Sequence, residues 1–385
     1  MIHHGPARSD AASPAASPEP RVTGAAIVYR LYDVGYEIYL DRALDLLASS
    51  APARVRPVRG EAQAIQIRNT PVTVILGAER VVAGGHPYDA EVSARVFDFG
   101  VVSLRLRIVP PPGTSWAEFS AFGNAVDVGV DLTPVFDQHM RLLTERIAPA
   151  IERPAVAPVT EDYVVFRIGA LTAEDGSPLP ATALGDEDIV PLLLNERRPL
   201  SVDARRELLP HRFSYYADDL AILTWDNALI VEPDGGDTDV QYILEFANAQ
   251  LLELRVYDAM LDAELPKMYA RVARARSRVT ARIGRHFAPL LTDLQTLVAD
   301  STELVERVEN SLKVTDDVYL ARIYSAALEI FRGRVWRSGI DRKLTIIRET
   351  YAMLNAEAQA ARSEALEVAI VVLIVLETVL AVVRG

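Results

Sequence analysis

The sequence predicts an α+β fold, in which a mixed, largely antiparallel sheet domain precedes a long-helix or coiled-coil region with a C-terminal transmembrane helix. Three observations predict it. Runs of β-branched residues mix with short helical patterns over residues 24–233, and the β signal disappears after residues 234–237. Residues 366–383 are apolar almost throughout. The predicted parts are a disordered tail (1–23), an α+β globular domain (24–233), a helical stalk (234–365) and a transmembrane helix (366–383).

Composition limits the function classes. The chain has 385 residues, half of them hydrophobic, which is enough to bury at least one substantial core. A net charge of −13 argues against a protein that coats nucleic acid or anionic membrane over its whole surface. The absence of cysteine excludes disulfides, thiol nucleophiles and Cys-ligated zinc. Residues 1–20 are rich in Ala, Pro and Ser and lack a signal-like apolar stretch, so we expect a protein made and kept in the cytoplasm.

The elements of the globular domain follow from periodicity and flanking turn residues. Strands are predicted at residues 24–31, 64–68, 72–76, 92–109 (two strands around Asp98 and Gly100) and 163–168. Helices are predicted at residues 37–48, 116–126 and 133–151. Apolar and polar residues alternate over 92–109, which implies one buried and one wet face and therefore favours an antiparallel sheet.

Caps and turns complete the order of elements. The helix at 133–151 has Thr133 as a candidate cap and Pro134 in its first turn. Residues 153–158 are rich in proline and are interpreted as a linker. Residues 220–231 predict a hairpin around Asp226 and Asn227, residues that tolerate the positive φ of such turns.

The helical half contains a heptad seam, whose residues follow one another at alternating steps of four and three. They are Ile340, Leu344, Ile347, Tyr351, Leu354, Ala358, Ala361, Ala365, Val368, Val372, Val375, Val379 and Val382. A shorter seam comprises Leu290, Leu294, Leu297, Leu304 and Val308, with Ser301 in one slot. The two stretches predict an antiparallel hairpin or pairing between chains, and the alternative is an ordinary bundle core. Oligomerisation is expected through Ile340, Leu344, Ile347, Tyr351, Leu354 and Glu377.

The predicted transmembrane helix follows from a comparison of free energies. Thirteen Leu, Ile or Val residues in 366–383 contribute about −5 kcal/mol to insertion, and Glu377 opposes it by roughly 2 to 3 kcal/mol. The segment is about 27 Å long, close to the hydrocarbon thickness of a bilayer. We therefore expect a tail anchor in a bacterial inner membrane, with membrane lipid as a partner and most of the chain cytoplasmic. Glu377 is expected to face other copies of the chain, and the alternative is a helix buried in a soluble oligomer.

The most distinctive polar feature is a basic stripe on one helix face. Its members are spaced 4, 3, 4, 4 and 3 residues apart and are Lys267, Arg271, Arg274, Arg278, Arg282 and Arg285. Such a stripe fits phosphate backbone, anionic lipid or an acidic partner, so an acidic protein or RNA is the expected partner, and no DNA is expected. The alternative is a solvated face paired with the chain's own carboxylates, namely Asp258, Asp262, Glu303 and Glu306.

No residue pattern indicates catalysis. The six histidines show no helical zinc spacing, and Gly84, Gly85 and His86 indicate a turn and not a nucleotide loop. Asp234, Asp237, Asp239 and Glu245 do not follow the ligand spacing of a calcium loop. We therefore expect no cofactor, no metal and no catalytic residue, which favours a protein that is not an enzyme.

Three segments carry a resemblance to a known family. They are FDFGVVSL (97–104), LAILTWDNALIVEP (220–233) and LEVAIVVLIVLETVLAVV (366–383), and residues 317–355 add a similar helical region. Together they resemble the family named "required for meiotic nuclear division", also called YagE or Sad1-interacting-factor proteins. The resemblance implies a domain of uncharacterised biochemistry, a helical stalk and a C-terminal membrane helix. Mitochondrial relatives in that family are inner-membrane oligomers that support translation, whereas the tail and the Arg and Ala content of this chain favour a bacterial relative.

The functional hypothesis is a non-enzymatic, membrane-anchored oligomeric scaffold or tether that docks an acidic or RNA-containing partner on the cytoplasmic side. Two alternatives remain. One is a small-molecule sensor or enzyme in the N-terminal α+β domain. The other is a soluble oligomer with the apolar C-terminal helix buried in the assembly.

Overall fold

One large sheet organises the first 233 residues. The computed structural model describes residues 19–48, 53–54, 65–67, 69–196, 198–233, 238–277, 312–314 and 318–384, with isolated positions at 292, 295–296, 298–299 and 302. The strands are β1 Arg21–Asp33, β2 Gly35–Ile38, β3 Ala53–Arg54, β4 Ile65–Ile67, β5 Val72–Ala83, β6 His86–Val96, β7 Val101–Ile108, β8 Ile151–Pro154, β9 Thr160–Thr172, β10 Pro178–Leu179, β11 Arg212–Phe213, β12 Leu220–Leu223, β13 Asn227–Val231 and β14 Leu312–Val314. The helices are α1 Leu40–Leu46, α2 Trp116–Asp127, α3 Thr133–Ile147, α4 Asp186–Leu194, α5 Val202–Leu208, α6 Asp239–Ser277, α7 Val318–Ile330 and α8 Gly333–Arg384.

The described residues form a ten-stranded sheet in the order β11-β12-β13-β9-β1-β7-β6-β5-β3, with β10 beside β9. All pairings in it are antiparallel except that of β13 with β9, which is parallel. Two further pairs stand apart, β14 with β4 and β2 with β8. The prediction of an α+β fold with a mixed, largely antiparallel sheet is therefore confirmed.

The centre of the sheet is buried on both faces. On β1, Ala26 and Val28 lie in a core with α1 to α4, while the alternate residues Ile27 and Leu31 lie in a second core with α6 and α7. The expectation of one wet face is therefore wrong for the central strands. The first residues of α6 cover the face that the alternating pattern assigned to solvent.

Local sequence explains where α2 begins. The Ser115 side chain accepts a hydrogen bond from the Glu118 backbone N–H at 3.3 Å, and the Glu118 carboxylate accepts one from the Ser115 N–H at 2.8 Å. This reciprocal capping satisfies two backbone donors that the helix itself cannot pair. The helix then buries Phe119 and Phe122 against the sheet, as the apolar spacing predicts.

The third helix starts at Thr133 as predicted but differs in its cap and in its end. Its N-cap is Leu132, and the Thr133 hydroxyl accepts a hydrogen bond from the Arg30 guanidinium at 3.0 Å. The helix ends at Ile147 and continues as a short 3₁₀ turn at Ala148–Ala150. Pro134 occupies the first turn, as expected.

Two connections also differ from expectation. The predicted linker at 153–158 starts as part of β8, which pairs with β2. In the β12–β13 hairpin, neither Asp226 nor Asn227 has a positive φ. The Thr224 hydroxyl closes this turn instead, since it donates to the Asn227 carbonyl at 2.9 Å and accepts from the Asn227 N–H at 3.1 Å.

The helical half is held together by α6 and α8, which run side by side in the same direction. Their interface buries apolar residues of both helices, namely Tyr257, Leu261, Met268, Val272, Ile340, Leu344, Ile347 and Leu354. At its border, Lys343 of α8 lies between the carboxylates of Asp258 and Asp262, at 2.7 and 2.6 Å. The shorter seam from Leu290 to Val308 lies outside the described residues.

The prediction of a transmembrane helix is corrected. Within the ranges that the structure describes, no helix is long and apolar enough to cross a membrane. Residues 366–383 instead continue α8, with Glu367 and Glu377 interrupting the apolar run. The interpretation of this segment as a tail anchor is corrected for the same reason.

Candidate functional site

The predicted oligomerisation residues up to Leu354 already pack against another helix of the same chain. Ile340 and Ile347 are fully buried and Leu344 is 3% exposed, all against α6. Tyr351 packs beside them and is partly buried. The reason is that α6 offers a complementary apolar stripe at the same helical spacing. Contacts between chains through these five residues would require α6 to separate from α8.

Beyond Leu354 the seam continues without a partner among the described residues. We call residues 366–382 of α8 the apolar end. Its twelve Leu, Ile and Val side chains are 47–76% exposed. They are Leu366, Val368, Ile370, Val371, Val372, Leu373, Ile374, Val375, Leu376, Val379, Leu380 and Val382. Glu377 lies within this segment and is also exposed.

The basic stripe is only partly described. Lys267 binds Glu264 at 2.6 Å, one helical turn away. Arg271 and Arg274 belong to α6, but their side chains lie outside the described set, as do Arg278, Arg282 and Arg285 entirely. Two of the carboxylates proposed as partners in the alternative interpretation, Asp258 and Asp262, bind Lys343 instead. The stripe therefore stays a prediction.

A second feature, which the sequence interpretation missed, is a polar layer between the sheet and α6. From the sheet it contains Ser93, Arg95, Ser103, Arg105 and Arg167, each at most 7% exposed. From α6 it contains Gln241, Glu245, Asn248 and Glu253, each at most 2% exposed. The available signal was polar residues at alternate positions of β6 and β7, together with Gln241, Glu245 and Asn248 at steps of four and three on α6.

The centre of the polar layer is the ion pair of Arg95 and Glu245. Their side chains are 2% and 0% exposed. The Arg95 guanidinium also lies over the Tyr242 ring, 4.7 Å from its centroid, and donates to the Thr73 hydroxyl at 3.4 Å. Pairing offsets the large cost of removing each charge from water. The layer thus fixes α6 on the sheet at one position.

A buried carboxyl lies beyond this pair, at the end of β1. Burial raises the pKa of Asp33 to about 7, although the Gly35 N–H donates to it at 3.1 Å. Burial, together with the nearby charges of Glu253 and Asp33, also raises the pKa of Tyr257 well above its usual value. Asp33 therefore changes charge near neutral pH.

The FDFG run that suggested a family resemblance is a packing motif. Phe97 and Phe99 stack with centroids 5.3 Å apart, and each meets Phe246 of α6 edge-on at 5.9 Å. Gly100 has φ +94°, and a Cβ there would lie 1.9 Å from the Gly35 carbonyl oxygen. These residues dock the β6–β7 turn on α6.

The polar layer is closed to solvent, so a ligand cannot reach it unless α6 moves. Among the described residues no three potential ligands form a metal site, and Glu245, once considered in a calcium loop, binds Arg95. Asp234 and Asp237 lie outside the described residues.

The described clefts lie on the surface. One of them, about 840 Å³, is beside β5 and the proline run at 110–112. Another, about 810 Å³, lies between α2 and α4 and includes Trp116, Ser120 and Asn124.

Fold and site define the class: an α+β protein whose antiparallel sheet is covered by helices on both faces and whose last helix ends in an exposed apolar segment. Residues 23–238, more than half of the chain, match the family described as "Uncharacterized protein MJ0711, N-terminal domain", and the chain belongs to that family. The matched range ends immediately before α6 begins.

One curated relative is the "Uncharacterized protein MJ0711" of Methanocaldococcus jannaschii, which is 28% identical over 194 residues. The alignment covers 50% of this chain and 58% of the relative, so the chain spans less than two thirds of that protein. No solved structure matches. These matches overturn the expected membership of the required-for-meiotic-nuclear-division family, for which they give no support. The short runs that suggested it include the FDFG packing turn and an apolar helix, features that unrelated proteins share for physical reasons.

Proposed function

We propose that this protein is a non-enzymatic scaffold that assembles through the apolar end of α8 and presents a basic stripe to an acidic or RNA-containing partner. The observation that carries the proposal is the exposure of the apolar end. Twelve large aliphatic side chains on one helix are about half exposed, whereas the same helix is buried against α6 up to Leu354. A helix that is apolar on all sides is normally buried.

The free energy favours burial in an assembly. Full burial of a Val, Leu or Ile side chain is worth about 1.5 to 3 kcal/mol, so a half-exposed one gains roughly 1 kcal/mol. Burying all twelve therefore contributes on the order of 12 kcal/mol per chain. This is comparable with the cost of association, about 4 to 15 kcal/mol. Burial of most of the apolar end is therefore needed to offset the cost of association, and burial of a few residues would not offset it.

A second copy of the chain is the partner that best fits the apolar end. The heptad spacing that packs α8 on α6 up to Leu354 continues without interruption through Val368, Val372 and Val375. Identical helices with such a seam are complementary to one another, since each presents the same knobs and holes. Self-association therefore extends a packing mode that the chain already uses.

Assembly is tested by comparing the full chain with a variant that ends at Ala365. Sedimentation equilibrium of the full chain should give a multiple of the 42.3 kDa monomer, and the shortened chain should be a monomer. Far-UV circular dichroism controls for folding, because the described side chains of residues 366–382 lie outside every described core. Equal masses for the two chains would contradict the proposal.

Docking at the basic stripe depends on charge. We expect the full chain to retain poly(U) RNA or polyglutamate at low salt and to release it at high salt, because screening weakens contacts between exposed charges. Reversal of Arg271, Arg274 and Arg278 to Glu should abolish retention. The matched control is Arg334→Glu, which changes an 86% exposed arginine outside the stripe. Retention that is independent of salt, or that survives the triple reversal, would exclude docking here.

A further inference from the structure

The seam of the apolar end has an unusual composition. Its five positions, Val368, Val372, Val375, Val379 and Val382, are all valine and are 53–76% exposed. At about 100° per residue they fall within roughly 80° of one another on α8. Glu377 lies about 180° from the centre of this stripe, on the opposite side of the helix.

The spacing assigns each valine to a heptad position. The step from a to d is three residues and the step from d to a is four, so the first, third and fifth valines occupy d and the other two occupy a. Two-stranded coiled coils prefer a β-branched residue at a and leucine at d. Isoleucine at both positions shifts the preference to three or four strands, and valine has the same branching at Cβ. Because every seam residue is valine, this conclusion does not depend on which set is a and which is d.

The flanking positions give an independent argument. Positions e and g of paired coiled coils often carry Glu and Lys, which bridge two helices in water. In the apolar end these positions hold Ala369, Val371, Leu376, Thr378 and Val383, and none is charged. Val371 and Leu376 are 58% and 53% exposed. A pair of helices would leave both at a wet rim, whereas a larger bundle buries them between neighbours.

We infer that the apolar ends of three or more chains form one bundle, with the valine seam at its centre and Glu377 on its outer surface. This inference rests on the proposed self-assembly and specifies its partner number. The expectation that Glu377 faces other copies does not fit a bundle of this kind, because the residue lies opposite the seam.

The number of chains is measured on the full-length protein by sedimentation equilibrium and native mass spectrometry. A mass of three or more times 42.3 kDa supports the inference. A mass of two chains overturns it and leaves the proposed assembly standing. A monomer overturns both.

Substitution of the d valines tests the physical reason. Changing Val368, Val375 and Val382 together to Leu places valine at a and leucine at d, and should lower the assembly to two chains. The matched control changes Val372 and Val379 to Leu, which leaves β-branched residues at d and should retain three or more chains. The exposed positions make a folding defect of the sheet domain unexpected, and unchanged near-ultraviolet circular dichroism verifies this. An unchanged mass in the triple variant, or a fall to two in the control, would overturn the role of the seam.

Discussion

The Arg95–Glu245 pair offers a quantitative test of how the sheet and α6 are joined. The two residues are 150 positions apart in sequence, and their side chains are 2% and 0% exposed. Glu245→Leu removes the carboxylate and leaves a buried guanidinium without its charge partner. Breaking such a pair from one side costs about 3 to 5 kcal/mol. Stacking on Tyr242 and the bond to Thr73 do not replace the lost charge.

Replacing both partners should have a much smaller effect. Arg95→Met with Glu245→Leu removes both charges and refills the space with apolar groups. Such exchanges range from neutral to about 1 to 4 kcal/mol more stable. The double-mutant cycle should therefore give a coupling free energy of at least about 3 kcal/mol.

The assay is urea unfolding followed by far-UV circular dichroism and tryptophan fluorescence, with coincident transitions as the criterion for one cooperative unit. The control pair is Arg80 and Asp89, which are 75% and 92% exposed and 3.9 Å apart, and whose removal should change stability little. A loss below about 1 kcal/mol for Glu245→Leu alone would refute the reasoning. It would mean that water or another carboxylate compensates for the missing one.

Two further predictions concern the same end of the sheet. Burial raises the pKa of Asp33 from 3.8 to about 7, so between these values the folded state binds more protons than the unfolded state and stability falls as pH rises. Asp33→Asn keeps an acceptor for the Gly35 N–H and should remove this dependence of stability on pH. At pH 8 the variant should be more stable than the unsubstituted protein by up to about 4 kcal/mol. Parallel stability–pH curves for the two proteins would contradict this prediction. Gly100→Ala should cost at least about 2 kcal/mol more than Gly176→Ala, since both have positive φ but only Gly100 has a backbone oxygen in the way. Equal urea midpoints for the two variants would show that the β6–β7 turn relaxes freely.

Local signals predicted most elements because their causes are local. Periodicity predicted α2 at residues 116–126, within one residue of its observed range Trp116–Asp127, and the structure shows that Ser115 and Glu118 cap its start. Alternation likewise located β6 and β7. The predicted cap of α3 is wrong, since the helix has Leu132 as its N-cap and the Thr133 hydroxyl accepts from Arg30, a residue 103 positions away in sequence.

Local sequence signals could not predict that the polar layer is buried. Alternation at Ser93, Arg95, Ser103 and Arg105 resembles a wet face, and nothing in β6 or β7 reveals that α6 brings Glu245 to the same place. The signal needed was a match between two distant polar stripes. Such a match has meaning only when the segments are already known to touch.

The sequence by itself determined which side of each strand and helix a residue occupies, the position of the apolar end and the all-valine composition of its seam. Only the tertiary structure decided what covers each face: α6 buries charges that periodicity assigned to water and occupies the seam up to Leu354. The physical reason is that periodicity follows from bonded geometry along one segment. Burial and charge pairing, by contrast, depend on which distant segment approaches it.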